Sequence, residues 1–278
     1  MIQRVKPFAS VLIAVILTSV FALAQKPTDD KESKDKKPEA APAATPAQND
    51  PNKPLTAEQI VDGVLFVYGF GGGRATLNQI RKTTVENGKT TFTAADGKVD
   101  QANYQRAIIR ADTLMAEKIR LDQEFSNARY ALVFNDAKVF GIYNNSVFTP
   151  REDAVKGFEN TIFHGIEALL RYKENESKIE FAGKDKQLGV EYYMIDVTDK
   201  LERKTRYYLS VKSFRVMMLT YEDGGVKFRR KFYDQKYAQG TLVPYRSVLF
   251  ADNKVIEESQ ISSITFGQKI DEELFKAG

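Results

Sequence analysis

The sequence predicts an α+β domain, a long antiparallel meander of about eleven or twelve short strands with two main helices laid on it. Three observations carry this. From residue 82 on, segments rich in β-branched and aromatic residues recur at a spacing of about ten residues, separated by polar turns. Two segments break that rhythm with apolar stripes at helical spacing. And the 278-residue chain has one His and no Cys, so the meander carries little of the chemistry a catalytic site needs. A long sheet so equipped holds something rather than transforms it.

The N-terminus reads as a targeting segment. Arg4 and Lys6 precede an uncharged apolar run over residues 8–21, and Ala22-Leu23-Ala24 gives the small-x-small pattern of a cleavage site. The run is too short to cross a bilayer, so residues 1–24 are expected to be a cleaved secretory signal peptide, leaving no stable membrane span in the mature chain. Residues 25–54 hold six lysines, six acids, prolines and alanines, with no aromatic or branched aliphatic side chain. Such a stretch buries too little apolar surface to offset its ordering entropy and is expected to be a disordered linker. An exported chain without Cys has no disulfide to lean on, so residues 55–278 must rely on their hydrophobic core.

The first helix is expected to start after Thr56, a plausible cap, with Glu58 in its first turn. Ile60, Val64, Leu65, Val67 and Tyr68 form its stripe, Gly69 and Gly71-Gly72-Gly73 stop it, and Leu77 and Ile80 suggest another short helical turn. Strands follow over residues 82–92, 104–111, 114–125, 129–134 and 138–143. In the third of these, Met115, Ile119 and Leu121 alternate with Lys118, Arg120 and Asp122. Tyr130, Leu132 and Phe134 alternate in the next, and Asn135-Asp136-Ala137 reads as a hairpin turn.

Thr149, Pro150, Glu152 and Asp153 announce a second helix over residues 150–172. Its wide apolar face, which includes Ile162 and Ile166, must pack on something apolar, and the concave face of the sheet is the natural partner. Strands resume over residues 178–181, 188–197, 205–211, 215–221, 226–233, 245–251 and 255–266, with turns at Asp223-Gly224 and Asp252-Asn253.

Motifs that usually carry chemistry have ordinary explanations here. His164 is alone and mid-helix. Gly69-Phe70-Gly71-Gly72-Gly73 follows a helix, where a phosphate loop follows a strand. Glu257 and Glu258 are neighbours in a strand and point to opposite faces. Glu272 and Glu273 decorate a turn, and Asp96-Gly97-Lys98 and Asp185-Lys186-Gln187 fit loop tips without calcium-loop spacing. The basic run Lys227-Phe228-Arg229-Arg230-Lys231 lies in a strand pattern that splits it between two faces, and the chain's net charge of +4 has no one-sided excess of the kind nucleic acid demands. No cofactor is called for. Aromatic residues are plentiful, 18 Phe and 13 Tyr with no Trp, and with five Met they suit an adaptable apolar surface.

Both ends of the domain resemble the outer-membrane lipoprotein-sorting protein family, relatives of the periplasmic lipoprotein carrier. The opening LTAEQIVDGVLFVYGFGGGRATLNQI is similar to their first helix and glycine stop. Residues 231–237, Gly240-Thr241-Leu242-Val243-Pro244, residues 246–250, Asp252-Asn253-Lys254, the stretch VKSFRVMMLTYED and the closing IDEELF are similar to their C-terminal strands. The resemblance implies an incomplete, strongly curved antiparallel β-barrel lidded by helices, located in the periplasm, with a hydrophobic cavity for acyl chains. It implies a non-catalytic carrier of lipidated protein or lipid, or, in the same fold, an envelope-stress sensor with an envelope protein partner. The residues expected to line the cavity are Met115, Ile119, Leu121, Tyr130, Leu132, Phe134, Ile162 and Ile166, with the second helix as the lid.

Overall fold

The computed structural model of the chain describes residues 54–276. The expected signal peptide and nearly all of the expected linker lie outside the described residues. Helix α1 (Ala57–Tyr68) begins in a reciprocal cap: Gln59 N donates to Thr56 Oγ1 at 3.2 Å, and Thr56 N donates to Gln59 Oε1 at 2.9 Å. It ends at Gly69, and after the glycine turn α2 (Gly73–Ile80) follows.

Thirteen strands form one antiparallel sheet among the described residues. They are β1 (Thr83–Thr93), β2 (Val99–Ile109), β3 (Lys118–Glu124), β4 (Arg129–Asn135), β5 (Lys138–Tyr143), β6 (Ser146–Phe148), β7 (Lys178–Gln187), β8 (Val190–Thr198), β9 (Lys204–Ser210), β10 (Val216–Asp223), β11 (Val226–Ala238), β12 (Thr241–Ala251) and β13 (Lys254–Phe266). Spatial order is β6-β5-β4-β3-β2-β1-β13-β12-β11-β10-β9-β8-β7. The sheet is strongly curved and not closed, an incomplete barrel whose two edges are β6 and β7. Tight turns match their residues: Asp136 and Ala137, and again Asp252 and Asn253, take the paired positive φ of a two-residue hairpin.

The topology dictates a lid. Strands β6 and β7 follow one another in sequence yet lie at opposite edges, so the segment joining them must cross the mouth of the half-barrel. That segment contains α3 (Glu152–Phe163) and α4 (Ile166–Leu170). The single helix expected over residues 150–172 is thus two, broken at His164 and Gly165. The break needs Gly165: a Cβ there would stand 2.7 Å from the Thr161 carbonyl oxygen.

Two further expectations are corrected. Residues 114–125 are not one strand. Leu114–Ala116 is a 3₁₀ turn whose Leu114 N donates to Asn175 Oδ1 at 2.9 Å, and β3 starts only at Lys118. Asp185-Lys186-Gln187 is the end of β7 rather than a loop tip, the turn falling at Leu188 and Gly189, both with positive φ.

Alternation buries one face of each strand. On the convex side, Ile270 and Phe275 from the C-terminal segment cover Ala107, Val133, Phe140 and Ile142, and Phe275 is wholly buried. The concave side receives the helices.

Candidate functional site

The concave face divides into two apolar halves. Over β8–β12 lie α1 and α4, whose Ile60, Val64, Leu65, Tyr68, Leu169 and Leu170 pack on Ile195, Tyr207, Leu209 and Leu219. Over β2–β5 lies α3, whose Phe158, Ile162 and Phe163 pack on Ile119, Leu132 and Phe134, with Leu121 and Tyr130 alongside. Six of the eight residues named from sequence therefore meet in one place: Ile119, Leu121, Tyr130, Leu132 and Phe134 on the sheet and Ile162 on the helix. The other two do not join them. Met115 sits on the 3₁₀ turn and is 39% exposed, because the alternation that placed it was read through residues that are not strand. Ile166 lies beyond the break, in α4, packed against the other half.

As it stands this surface is filled. Ile119, Leu132, Phe134 and Ile162 are each less than a tenth exposed, and Phe134 and Phe163 meet edge to face at 5.7 Å. Sequence reasoning missed an aromatic row that continues it toward the open end. Phe92, Phe125, Tyr130 and Phe148 follow one another at ring separations of 6.0, 5.8 and 6.4 Å. The Phe148 ring lies on Gly141, where a Cβ would stand 2.3 Å away, and Phe148 itself is exposed. Its strand, β6, is three residues long and exposed throughout, so no burial pattern announced it. The row is a half-open greasy track leading under α3.

The two halves are fastened differently. Around α4 stands a network of buried charges. Glu167 accepts from Arg81, which follows α2, and from Arg110, which follows β2. Arg81 also donates to Thr241 Oγ1 at 2.9 and 2.8 Å and to the Leu242 carbonyl at 2.8 Å. Arg171 donates to Glu117 and to the Ala111 carbonyl, and Arg74 donates to the Leu170 carbonyl at 3.0 Å and to Glu174 at 2.5 Å. Burial raises the Glu167 carboxyl, but Arg110 and Arg81 outweigh it and hold the group down at about 2. Burial wins at Glu117, pushed up to about 7 against the pull of Arg171.

Helix α3 has no side-chain cap on its first turn, and Arg151–Asp153 and Glu152–Lys156 are solvent-exposed pairs of little worth. One hydrogen bond ties it to the sheet, Asn160 Nδ2 to Asp223 Oδ2 at 3.0 Å, and the Arg203 guanidinium lies over the Phe163 ring at 3.6 Å. At its end His164 is buried, stacked on Tyr221 at 4.0 Å with Nδ1 2.6 Å from Thr205 Oγ1. Burial and then Arg203 lower its pKa to about 4, so it is a neutral packing residue at physiological pH.

Among the described residues no group of three or more His, Asp or Glu is placed to hold a metal, and no helix is long and apolar enough to cross a membrane.

No family model and no curated protein matches the sequence. Solved structures do. A LolA superfamily protein from Nitrosomonas europaea is 10% identical, with 80% of this chain and 98% of that one covered and a TM-score of 0.55. A DUF1329 family protein from Desulfovibrio piger is 11% identical, with 80% and 97% covered and a TM-score of 0.51. At these identities the likeness establishes the fold: an open, helix-lidded half-barrel of the LolA kind.

Proposed function

We propose that this chain is an exported, non-catalytic periplasmic protein that binds acyl chains, of lipidated protein or of lipid, beneath α3. The carrying observation is the lid itself: a helix bridging the two sheet edges, fastened by little but apolar contact over a continuous apolar surface with an aromatic track at its rim. The magnitudes favour exchange. Burying Phe158, Ile162 and Phe163 contributes roughly 2 kcal/mol each, which about eight buried methylenes at ~0.8 kcal/mol match. A common acyl chain has more methylenes than that, so it can replace the helix as the cover of the sheet. The LolA-type fold supports the same reading.

Native mass spectrometry of the full chain recovered from a periplasmic extract is the direct test. The proposal expects bound species separated by masses of acylated molecules and lost on mild activation. A ligand-free spectrum, together with no binding of a fluorescent fatty-acyl probe, refutes it.

A further inference from the structure

The basic run of β11 is left unused by acyl binding, and its geometry points elsewhere. Alternation turns Phe228, Arg230 and Phe232 toward the concave side, where Arg230 donates to Glu257 at 2.8 Å and Ser247 at 3.2 Å. It turns Lys227, Arg229 and Lys231 outward. Among the described residues none of these three has a carboxylate in ion-pair range, although Arg203, Lys204, Arg206 and Arg230 nearby do. Arg229 and Lys231 share the Phe250 ring, at 4.8 and 5.7 Å, and the buried Nε of Arg229 has no hydrogen-bond partner.

Register places a second arginine beside it. Thr220 is the cross-strand partner of Arg229 on one side and of Arg206 on the other, so two guanidinium groups flank one hydroxyl on a single row. Arg206 spends Nε and Nη2 on Asp196, at 2.7 and 2.9 Å, which fixes its orientation and leaves Nη1 free. Arg206, Tyr208, Thr220 and Arg229 all line one cleft of about 920 Å³. Glu202, Glu222, Asp223 and Asp252 line it too: Glu222 is the cross-strand partner of Lys227, Asp223 accepts from Asn160 Nδ2 at 3.0 Å, and Asp252 accepts from the Lys227 backbone N–H at 3.1 Å.

We propose that this cleft seats a phosphate ester between Arg206 and Arg229, over the hydroxyls of Thr220 and Tyr208. The two terminal nitrogens of the planar Arg229 guanidinium match two oxygens of a phosphate, the partially filled Arg206 supplies a third donor, and hydroxyl groups complete the shell. The same cleft reaches Asn160 of α3 and His164 at its other end, but the row of Arg206, Thr220 and Arg229 lies on the outward face of the sheet and does not depend on acyl binding beneath α3.

The test uses the full chain with three probes: glycerol 1-phosphate, vesicles of phosphatidylcholine with and without phosphatidylglycerol, and oligoglutamate. Glycerol 1-phosphate is expected to bind and to be weakened about tenfold or more by Arg229→Gln, while Lys138→Gln, an exposed charge in the β4–β5 hairpin, changes nothing. Phosphatidylglycerol-dependent vesicle binding that glycerol 1-phosphate competes away identifies a lipid headgroup as the source. Glycerol 1-phosphate binding without vesicle binding identifies a free phosphate ester. Oligoglutamate binding as tight as glycerol 1-phosphate, or equal losses in Arg229→Gln and Lys138→Gln, overturns the site as mere net charge. A thermal melt showing Arg229→Gln folded makes the loss one of recognition, and absence of glycerol 1-phosphate binding by the wild type overturns the proposal outright.

Discussion

The two halves of the concave face bury similar residues and are built for different ends. The half under α1 and α4 is bolted: Glu167 sits between Arg81 and Arg110, Arg171 holds Glu117, and α1 starts in a reciprocal cap. Helix α3 makes one hydrogen bond of its own to the sheet, with a second from His164 just past its end, and has an uncapped first turn and a glycine break at its far end. Apolar contact is non-directional and can be remade with any greasy partner. Buried ion pairs are costly to break one-sidedly. The difference teaches which half is permanent core and which is removable cover.

The largest expected effect tests the bolts. Glu167→Ala leaves two mostly buried arginines unpaired and should cost about 3 kcal/mol of stability, read from urea unfolding. Asn160→Ala, which removes the one hydrogen bond from α3 to the sheet, should cost about 1 kcal/mol. Equal losses erase the distinction between the halves.

The pH response sharpens it. The pKa of His164 is lowered in the fold to about 4 from its ordinary 6.5. Its contribution is therefore fully present above pH 6.5 and is lost as pH falls through 4. Glu117, raised to about 7, acts in the opposite sense, its contribution present below about pH 4.5 and lost as pH rises through 7. Subtracting the stability curve of His164→Phe, which keeps the stack on Tyr221, isolates the histidine. The difference should change by up to about 3 kcal/mol between pH 6.5 and 4, wild type losing ground. A flat difference means that His164 is not held neutral and that the end of α3 is already open to water.

Much of this was legible in the sequence, for physical reasons that stop at identifiable places. The alternation of Tyr130, Leu132 and Phe134 gives strand and face together, and Thr56 with the glycines after Tyr68 bounds α1 to the residue. The break at Gly165 was hidden because α3 and α4 both bury apolar residues, so the stripe runs on through it. The signal that marks it is a glycine following a residue that can end a helix. Met115 was misplaced because a 3₁₀ turn entering a strand extends its apparent period. The charge network was illegible: Arg81, Arg110 and Glu167 lie far apart in the chain, and composition cannot say which of many charges meet. Six of the eight named cavity residues come together because strand periodicity is local, while their cover by α3 follows from the topology of the edges.

The central claim is that α3 must leave the sheet for an acyl chain to enter. The chain has no Cys, so Asn160→Cys with Asp223→Cys, joined by a short bis-maleimide, tethers α3 to β10 and nothing else. Binding of a fluorescent fatty-acyl probe is then compared with the same protein capped singly at both thiols. The account predicts binding in the capped protein and at least tenfold weaker binding in the tethered one. Equal binding in both would contradict it, since the chain would then be reaching its site with the lid in place.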